Sequence, residues 1–279
     1  MGTNENDDLS VVYKKCICKL SHAHIKYSKC DDTHFGRINN GKTVEWAQER
    51  LWDKPIVKID PSNGPWIAIV LESPHIHEYK ILEDEPIGPA QNKTGRMLKN
   101  KLPSKLALTE SLDANIMSYN VLIMNSIQFQ TSLGYDTKIF RDRIWLDVWL
   151  NGGRDSFLTR LSTYNPCIII NACTIGDHSW DPFYRQKKIS FEYINAICSL
   201  IEKDEGSNSL LMKQQDSCST AIYDGKYLKG LGYTLRGFVQ TAIDSLYSEL
   251  KKPQLFISSH PSSVDFCKSE SKLERLNPM

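Results

Sequence analysis

The sequence predicts an α/β protein in which a central, mainly parallel four-stranded sheet lies between two layers of helices, a three-layer αβα arrangement. Four short apolar runs, at 66–71, 121–124, 167–171 and 255–259, are each bounded by turn residues. Such runs are typical of strands that are buried on both faces. The segments between them have helical periodicity, and the alternation of strands with helices favours a parallel sheet covered on both faces.

Composition narrows the class of protein. The chain has 279 residues, of which 41% are hydrophobic and 24% are charged, as in an ordinary folded protein. Its net charge of +1 provides no overall attraction to nucleic acid, so any such contact must come from local basic patches. No apolar run approaches the roughly 20 residues of a membrane helix, and the polar N-terminus lacks the apolar core of a signal peptide. We therefore expect a cytoplasmic protein with no membrane partner.

The N-terminal part of the chain is the least informative. We expect residues 1–60 to be an extension packed on the core, and residues 61–279 to form the α/β domain. Residues 1–10 are polar and acidic, which predicts disorder. Residues 43–52 are predicted to form a helix, with Thr43 as its N-cap.

The eight cysteines are scattered, which in a reducing compartment predicts free thiols rather than disulfides. Cys16, Cys18 and Cys30, with His22 and His24 between them, offer ligands for zinc. The spacing matches no standard zinc finger, and Cys-x-Cys is tight around one tetrahedral ion. We predict no metal, and a zinc site at these cysteines stays open as an alternative.

Helices are predicted between the strands. The first runs from Thr94 to Leu102 with Thr94 as its cap, and the segment 91–105 around it has five basic residues and no acidic ones. A basic segment that opens a helix suits phosphate binding, and it equally suits a solvated helix face. A Gly-, Ser- and Lys-rich loop is predicted over 204–234. The remaining helices are predicted over 136–150, 156–162, 189–203 and 236–251.

Chemically useful side chains follow three of the four predicted strands: Glu72, Asn125 and His260. Parallel strands bring their carboxyl ends to one edge of the sheet, so these residues can meet there. A carboxylate, an amide and an imidazole suit hydrolysis of a glycosidic bond. The carboxylate orients water, the amide pairs with a base, and the imidazole donates to the base carbonyl. Taken singly, each is also a common turn residue.

Four short motifs in order resemble the uracil-DNA glycosylase superfamily. VLESPH at 70–75 is similar to the first catalytic motif, which is GQDPYH in one branch and GEAPG in another. PIG at 86–88 and TGRML at 94–98 resemble the pattern PFVGxxGxLL, with extra residues between them. VLIMNS at 121–126 is similar to LLLLNT, and HPS at 260–262 matches the last motif.

This resemblance implies a DNA glycosylase that flips a non-standard pyrimidine out of single- or double-stranded DNA. The enzyme hydrolyses the N-glycosidic bond and leaves an abasic site, in base-excision repair or in anti-phage defence. No cofactor is implied, and we expect a monomer. The residues implied are Glu72 and His260 for catalysis; Asn125, His75, Ile87 and Ser73 for base binding; and Lys93, Thr94, Arg96, Ser262 and Ser263 for DNA binding.

Departures from the family motifs bear on specificity. The catalytic Asp of GQDPYH falls at Ser73, so the resemblance implies that Glu72 orients the attacking water, as in the GEAPG branch. His75 replaces the Tyr that excludes a C5 methyl group, and the stacking Phe falls near Ile87. A wider pocket is therefore expected, one that admits uracil or a C5-modified cytosine such as glucosylated hydroxymethylcytosine of phage DNA. No Cys follows Asn125 within 126–129, so we expect no iron–sulfur cluster.

Two other functions remain open from the sequence. A hydrolase or transferase that acts on free nucleosides needs the same chemistry but no DNA groove, so salt-sensitive DNA binding separates the two. A catalytically inactive DNA-binding module is the third possibility. The joint presence of Glu72, Asn125 and His260 argues against the inactive module.

Overall fold

A computed structural model describes residues 5–17, 25–39, 43–46, 60–80, 83–108, 112–131, 141–176, 235–247, 253–263, 266 and 273–276. The helix predicted over 189–203 and the loop predicted over 204–234 lie outside these residues. Across the described residues the chain has an α/β fold, built on a mixed sheet with a parallel centre.

The sheet has the strand order β2-β1-β4-β3-β5-β6-β7. The neighbours β4, β3, β5 and β6 are parallel, whereas β1, β2 and β7 join by antiparallel pairing. The strands are β1 (Thr33–Asn39), β2 (Thr43–Trp46), β3 (Trp66–Leu71), β4 (Ser118–Asn125), β5 (Ile168–Asn171), β6 (Gln254–Ile257) and β7 (Glu274–Arg275).

The four predicted strands are confirmed as this parallel centre, and the prediction that the sheet stops there is wrong. Every residue of β3 is buried, as its continuous apolar run indicated. The strand β1 was missed because it lies outside the parallel centre and its sequence, THFGRIN, has no continuous apolar run. The segment of β7 has only two residues, too few for a periodic pattern.

Helices pack on both faces of the sheet. Leu98, Leu102 and Leu106 of α2 pack in one apolar cluster with Ile67 and Ile69 of β3. Side chains of the other helices form a second cluster with the opposite face of β3. The helices are α1 (Glu5–Ile17), α2 (Asn92–Leu108), α3 (Arg141–Val148), α4 (Arg154–Tyr164) and α5 (Leu235–Leu246). None of them is long and apolar enough to cross a membrane.

Two predictions about the N-terminal part are wrong. Disorder over 1–10 is contradicted from Glu5 onward, because α1 begins there and buries Tyr13 and Ile17 against the core. The helix predicted over 43–52 is replaced, at 43–46, by β2; residues 47–52 lie outside the described residues. Pairing with β1 decides this segment, since Thr, Val and Trp suit a paired strand better than a helix.

The bounds of the helices in the structure also differ from the predicted ones. The helix α2 begins at Asn92, so Thr94 lies inside its first turn and is not the N-cap. It continues through Pro103 to Leu108 because Leu106 is fully buried against the sheet. The break predicted at Gly152-Gly153 is confirmed: Gly152 has φ 110°, a left-handed value that favours glycine. The helices α4 and α5 lie within a few residues of their predicted bounds.

Tyr13 tests whether the N-terminal segment belongs to the core. Its ring is fully buried and stacks on Phe129 at 4.9 Å, and its hydroxyl lies 2.5 Å from the carbonyl oxygen of Gln130. We expect Tyr13→Ala to lower the free energy of unfolding by about 3–5 kcal/mol, as for other large buried rings. The exposed neighbour Val11→Ala should change it by less than about 0.5 kcal/mol in the same urea titration. Equal small effects would contradict a docked α1.

Candidate active site

The carboxyl ends of the four parallel strands supply the groups of the candidate site. Glu72 follows β3 directly, Asn125 ends β4, Thr174 follows β5, and His260 follows β6. Leu71 and Asn125 are register partners, so the first two residues lie side by side on neighbouring strands. The sequence prediction that these strand ends meet at one edge is therefore met in the geometry.

Glu72 and His260 are in contact although they are far apart in sequence. Glu72 Oε2 lies 3.6 Å from His260 Nε2 and accepts a hydrogen bond of 3.3 Å from the backbone N–H of Thr174. The two side chains are 13% and 20% exposed, so a small molecule can reach them. Both of these contacts use Oε2.

The backbone of Glu72 is held by three donors. Its carbonyl oxygen accepts hydrogen bonds from Ser126 Oγ (2.7 Å), Trp145 Nε1 (2.9 Å) and the N–H of Ile127 (3.0 Å). The Trp145 ring is fully buried and stacks on Trp149 at 4.8 Å, so it has little freedom to move. The carboxylate therefore projects from a rigid strand end, as a water-positioning group requires.

His260 is oriented by the turn that follows it. The N–H of Ser262 donates to His260 Nδ1 at 3.2 Å, and Ser262 Oγ lies 2.7 Å from the same nitrogen. Because Nδ1 accepts, a neutral imidazole carries its proton on Nε2, the atom that faces the site. Ser263 closes the turn by donating its N–H to the His260 carbonyl, and Arg236 donates to the carbonyl of Ser258 just before it.

Asn125 is buried at 1% exposure and anchored from behind by Arg160. Arg160 Nη2 donates to the Asn125 carbonyl at 2.9 Å, while its Nη1 pairs with Asp32 at 2.5 Å. Burial raises the pKa of Asp32, and the Arg160 charge opposes that shift. The Asn125 amide donates from Nδ2 to Glu78 Oε2 at 3.4 Å, and its Oδ1 is buried without a partner among the described residues.

Glu78 is a buried carboxyl that no sequence pattern singled out. It is 5% exposed, and its Oε1 accepts a hydrogen bond of 2.9 Å from the N–H of Ala90. Burial raises its pKa to about 8, and the nearby Glu72 charge adds to the shift. Ala90 holds this bond from a left-handed backbone conformation, φ 58°, which costs a non-glycine residue about 1–3 kcal/mol. Such strain is often retained at functional sites.

The other predicted base-binding residues lie around this group. The Ser73 side chain is buried, and its hydroxyl is 2.5 Å from the hydroxyl of Thr131. The His75 side chain is exposed, and its Nδ1 accepts from the N–H of His77, which caps a short 3₁₀ turn. Ile87 is half-buried, and its N–H donates to the Glu78 carbonyl. Base contact by these residues stays a prediction.

The predicted DNA contacts fall in two places. Lys93, Thr94 and Arg96 occupy the first turns of α2, with both basic side chains exposed. They follow Ala90 closely in the chain, so the bond between Ala90 and Glu78 ties the start of α2 to the site. Ser262 and Ser263 lie in the turn after His260, where the Ser262 hydroxyl bonds the imidazole.

The described residues contain no group of three or more His, Cys, Asp or Glu side chains placed to hold a metal ion. Cys30 is a buried free thiol, and burial raises its pKa well above the usual value. Cys18, His22 and His24 lie outside the described residues, so the proposed zinc alternative is untested.

Several supporting residues were missed for identifiable reasons. Glu78 was missed because a carboxylate in a polar segment is ordinarily exposed. Trp145 showed only helical periodicity, which indicated burial but not a hydrogen bond to the distant Glu72. Thr174 acts through its backbone N–H, which no residue type reveals. Asn171 ends β5, but its Nδ2 donates to the Arg236 carbonyl and to Gln240 Oε1, so we do not assign it to the site.

No protein-family model, curated protein or solved structure matches this chain. The function must therefore be inferred from the chemistry of the site itself.

Proposed function

We propose that this chain is a monofunctional DNA glycosylase that flips a non-standard pyrimidine out of DNA and hydrolyses its N-glycosidic bond. The observation that supports the proposal best is the contact between Glu72 and His260, 3.6 Å apart, beside the buried amide of Asn125. The finer fold implied is the three-layer αβα arrangement of the uracil-DNA glycosylase superfamily. A cytoplasmic monomer without cofactor, serving base-excision repair or anti-phage defence, completes the proposal.

Each group has a role in the proposed reaction. Glu72 orients a water toward C1′ of the deoxyribose and accepts its proton as the new C–O bond forms. The bond between C1′ and the base nitrogen breaks, and its electron pair leaves with the base. Negative charge then develops on the base carbonyl oxygen, where the Nε2–H of His260 donates to it. Asn125 holds the base by its edge while this happens.

Base recognition in the proposal depends on a pocket that lacks the Tyr and Phe of uracil-specific relatives. His75 and Ile87 stand at those positions, and here the His75 side chain is exposed and the Ile87 side chain is half-buried. A substituent on C5 would meet an exposed imidazole and an aliphatic side chain in place of two larger rings. We therefore propose that the substrate class includes uracil and C5-modified cytosine, such as glucosylated hydroxymethylcytosine.

The defining test is base release from a panel of DNAs. Single-stranded and duplex oligonucleotides carrying one uracil, hydroxymethylcytosine or glucosylated hydroxymethylcytosine are incubated with the protein, and abasic sites are cut with alkali. We expect cleavage at uracil and at one or more modified cytosines, because the exposed His75 and the aliphatic Ile87 leave room near C5. Release of uracil alone would contradict the open pocket.

The same assay, extended to the corresponding free nucleosides, separates the competing functions. Release from free nucleosides, with none from DNA, would replace the glycosylase by a nucleoside hydrolase. Salt-sensitive DNA binding without release from any substrate would leave a binding module.

Glu72 is the residue whose loss should affect chemistry most. A positioned general base contributes about 10²–10⁴-fold to rate, so Glu72→Gln should reduce single-turnover base release by that factor. The exposed carboxylate Glu83, changed to Gln, is the matched control and should leave the rate unchanged. Thermal unfolding of both variants establishes that the fold is intact. Near-normal release by the Glu72 variant would remove this residue from the mechanism.

The start of α2 should carry part of the DNA affinity. Each phosphate contact releases about one counterion, so Lys93→Ala with Arg96→Ala should reduce the slope of log K against log salt by about two units. Affinity should fall alike for all sequences, since phosphates carry no sequence information. Lys14→Ala with Lys15→Ala, in α1 on the opposite face of the sheet, removes the same charge as a control. An unchanged slope would place the DNA on another face.

A further inference from the structure

The buried amide of Asn125 has two ends with different surroundings. Its Nδ2 is 3.4 Å from Glu78 Oε2, while its Oδ1 is buried without a partner in the described part of the chain. A buried acceptor is costly to leave unsatisfied, so Oδ1 is the atom of this amide that is left to accept from a further donor. In this orientation, the amide suits a ligand that offers an N–H group.

An amide keeps its shape when it is turned over, and the exchange swaps its donor and its acceptor. Only the neighbour decides which end is outward. An ionised Glu78 can only accept, so Nδ2 must face it and Oδ1 faces the ligand. A protonated Glu78 still accepts the Ala90 N–H on Oε1 and can donate from Oε2, so Oδ1 can turn toward it and Nδ2 faces the ligand.

We infer, building on the glycosylase proposal, that Glu78 is a positioning residue that sets the orientation of the Asn125 amide and thereby the class of base the pocket accepts. With Oδ1 outward the pocket accepts uracil, whose ring nitrogen N3 carries a hydrogen. With Nδ2 outward it accepts cytosine-type bases, whose N3 is an acceptor. An asparagine amide alone can pair with either class of base, and in this inference Glu78 determines which class Asn125 binds.

The surroundings of Glu78 allow both states near neutral pH. Burial raises the pKa of Glu78 to about 8, and the charge of Glu72 shifts it in the same direction. The other acids that face it are Cys30 and Tyr79, and burial raises the pKa of each well above its usual range, so both are neutral. The same short turn carries the imidazoles of His75 and His77. Of the acids named, Glu72 is the one whose charge raises the pKa of Glu78.

Glu78→Gln fixes one state. The carbonyl of the new amide takes over the Ala90 N–H, so its NH₂ group faces Asn125 and holds Oδ1 inward at every pH. The variant should then bind cytosine-type bases whatever the pH. Glu83→Gln, an exposed carboxyl that pairs with Lys80 in the following loop, makes the same chemical change as a control.

Binding is measured on duplexes that carry one 2′-fluoroarabino uracil or cytosine nucleotide, in which fluorine slows cleavage. Between about pH 6 and about pH 8.5, wild-type preference for the uracil probe should rise about tenfold as Glu78 ionises. The Glu83 variant should behave like the wild type. The Glu78 variant should prefer the cytosine probe about tenfold with no pH dependence. Equal, pH-independent preferences in the wild type and the Glu78 variant would overturn the inference.

A ligand-free measurement separates this inference from the proposed function. The side-chain NH₂ signals of Asn125 in ¹³C,¹⁵N-labelled wild-type protein should shift with the same midpoint as the Glu78 carboxyl carbon, and should stay fixed in Glu78→Gln. Asn125 NH₂ signals that do not change as Glu78 titrates would overturn the inference, whichever bases the enzyme releases. If the Asn125 and Glu78 signals titrate together but no base is released from any DNA, the role of Glu78 as a positioning residue stands and the glycosylase proposal is refuted. If Glu78→Gln fails to fold, as thermal unfolding would show, the wild-type titration alone still decides.

Discussion

The carbonyl oxygen of Glu72 is the point on which the site depends. Three donors from the end of β4 and from α3 converge on it, so the end of β3 cannot shift without breaking several hydrogen bonds at once. The Glu72 side chain therefore starts from a fixed backbone, and its carboxylate is placed by its own contacts with His260 and the Thr174 N–H. Because Trp145 supplies one of these donors from the core, the packing of the helical layer and the position of the carboxylate are coupled.

Two carboxyl groups of the site, Glu72 and Glu78, have different surroundings. Glu72 lies at the rim, where it contacts His260 and the Thr174 N–H. Glu78 lies beneath it, and burial raises its pKa to about 8. A negative charge on the first disfavours a second charge below, which helps to keep the buried group protonated until the pH rises. Pairs of acids separated in this way are a common means of dividing roles within one site.

The parallel centre of the sheet was predictable because its strands are buried on both faces and appear as unbroken apolar runs. The strand β3 shows this most clearly, and the placement of Glu72, Asn125 and His260 at one edge followed from it. The edge strands were not predictable in this way. The segment of β2 had some helical period, and only pairing with β1, an interaction between segments, made it a strand.

What the sequence could not provide is the shell that orients the site residues. Which nitrogen of His260 carries the proton depends on the turn to Ser262. The orientation of the Asn125 amide depends on Glu78, 47 positions earlier. The backbone of Asn125 is anchored by Arg160, 35 positions later. Each relation depends on burial and on distances between elements, which a single sequence does not contain. Residue types at strand ends can indicate a class of chemistry. In the function that we propose, the choice of base within that class depends on which donor or acceptor the buried neighbours leave unsatisfied.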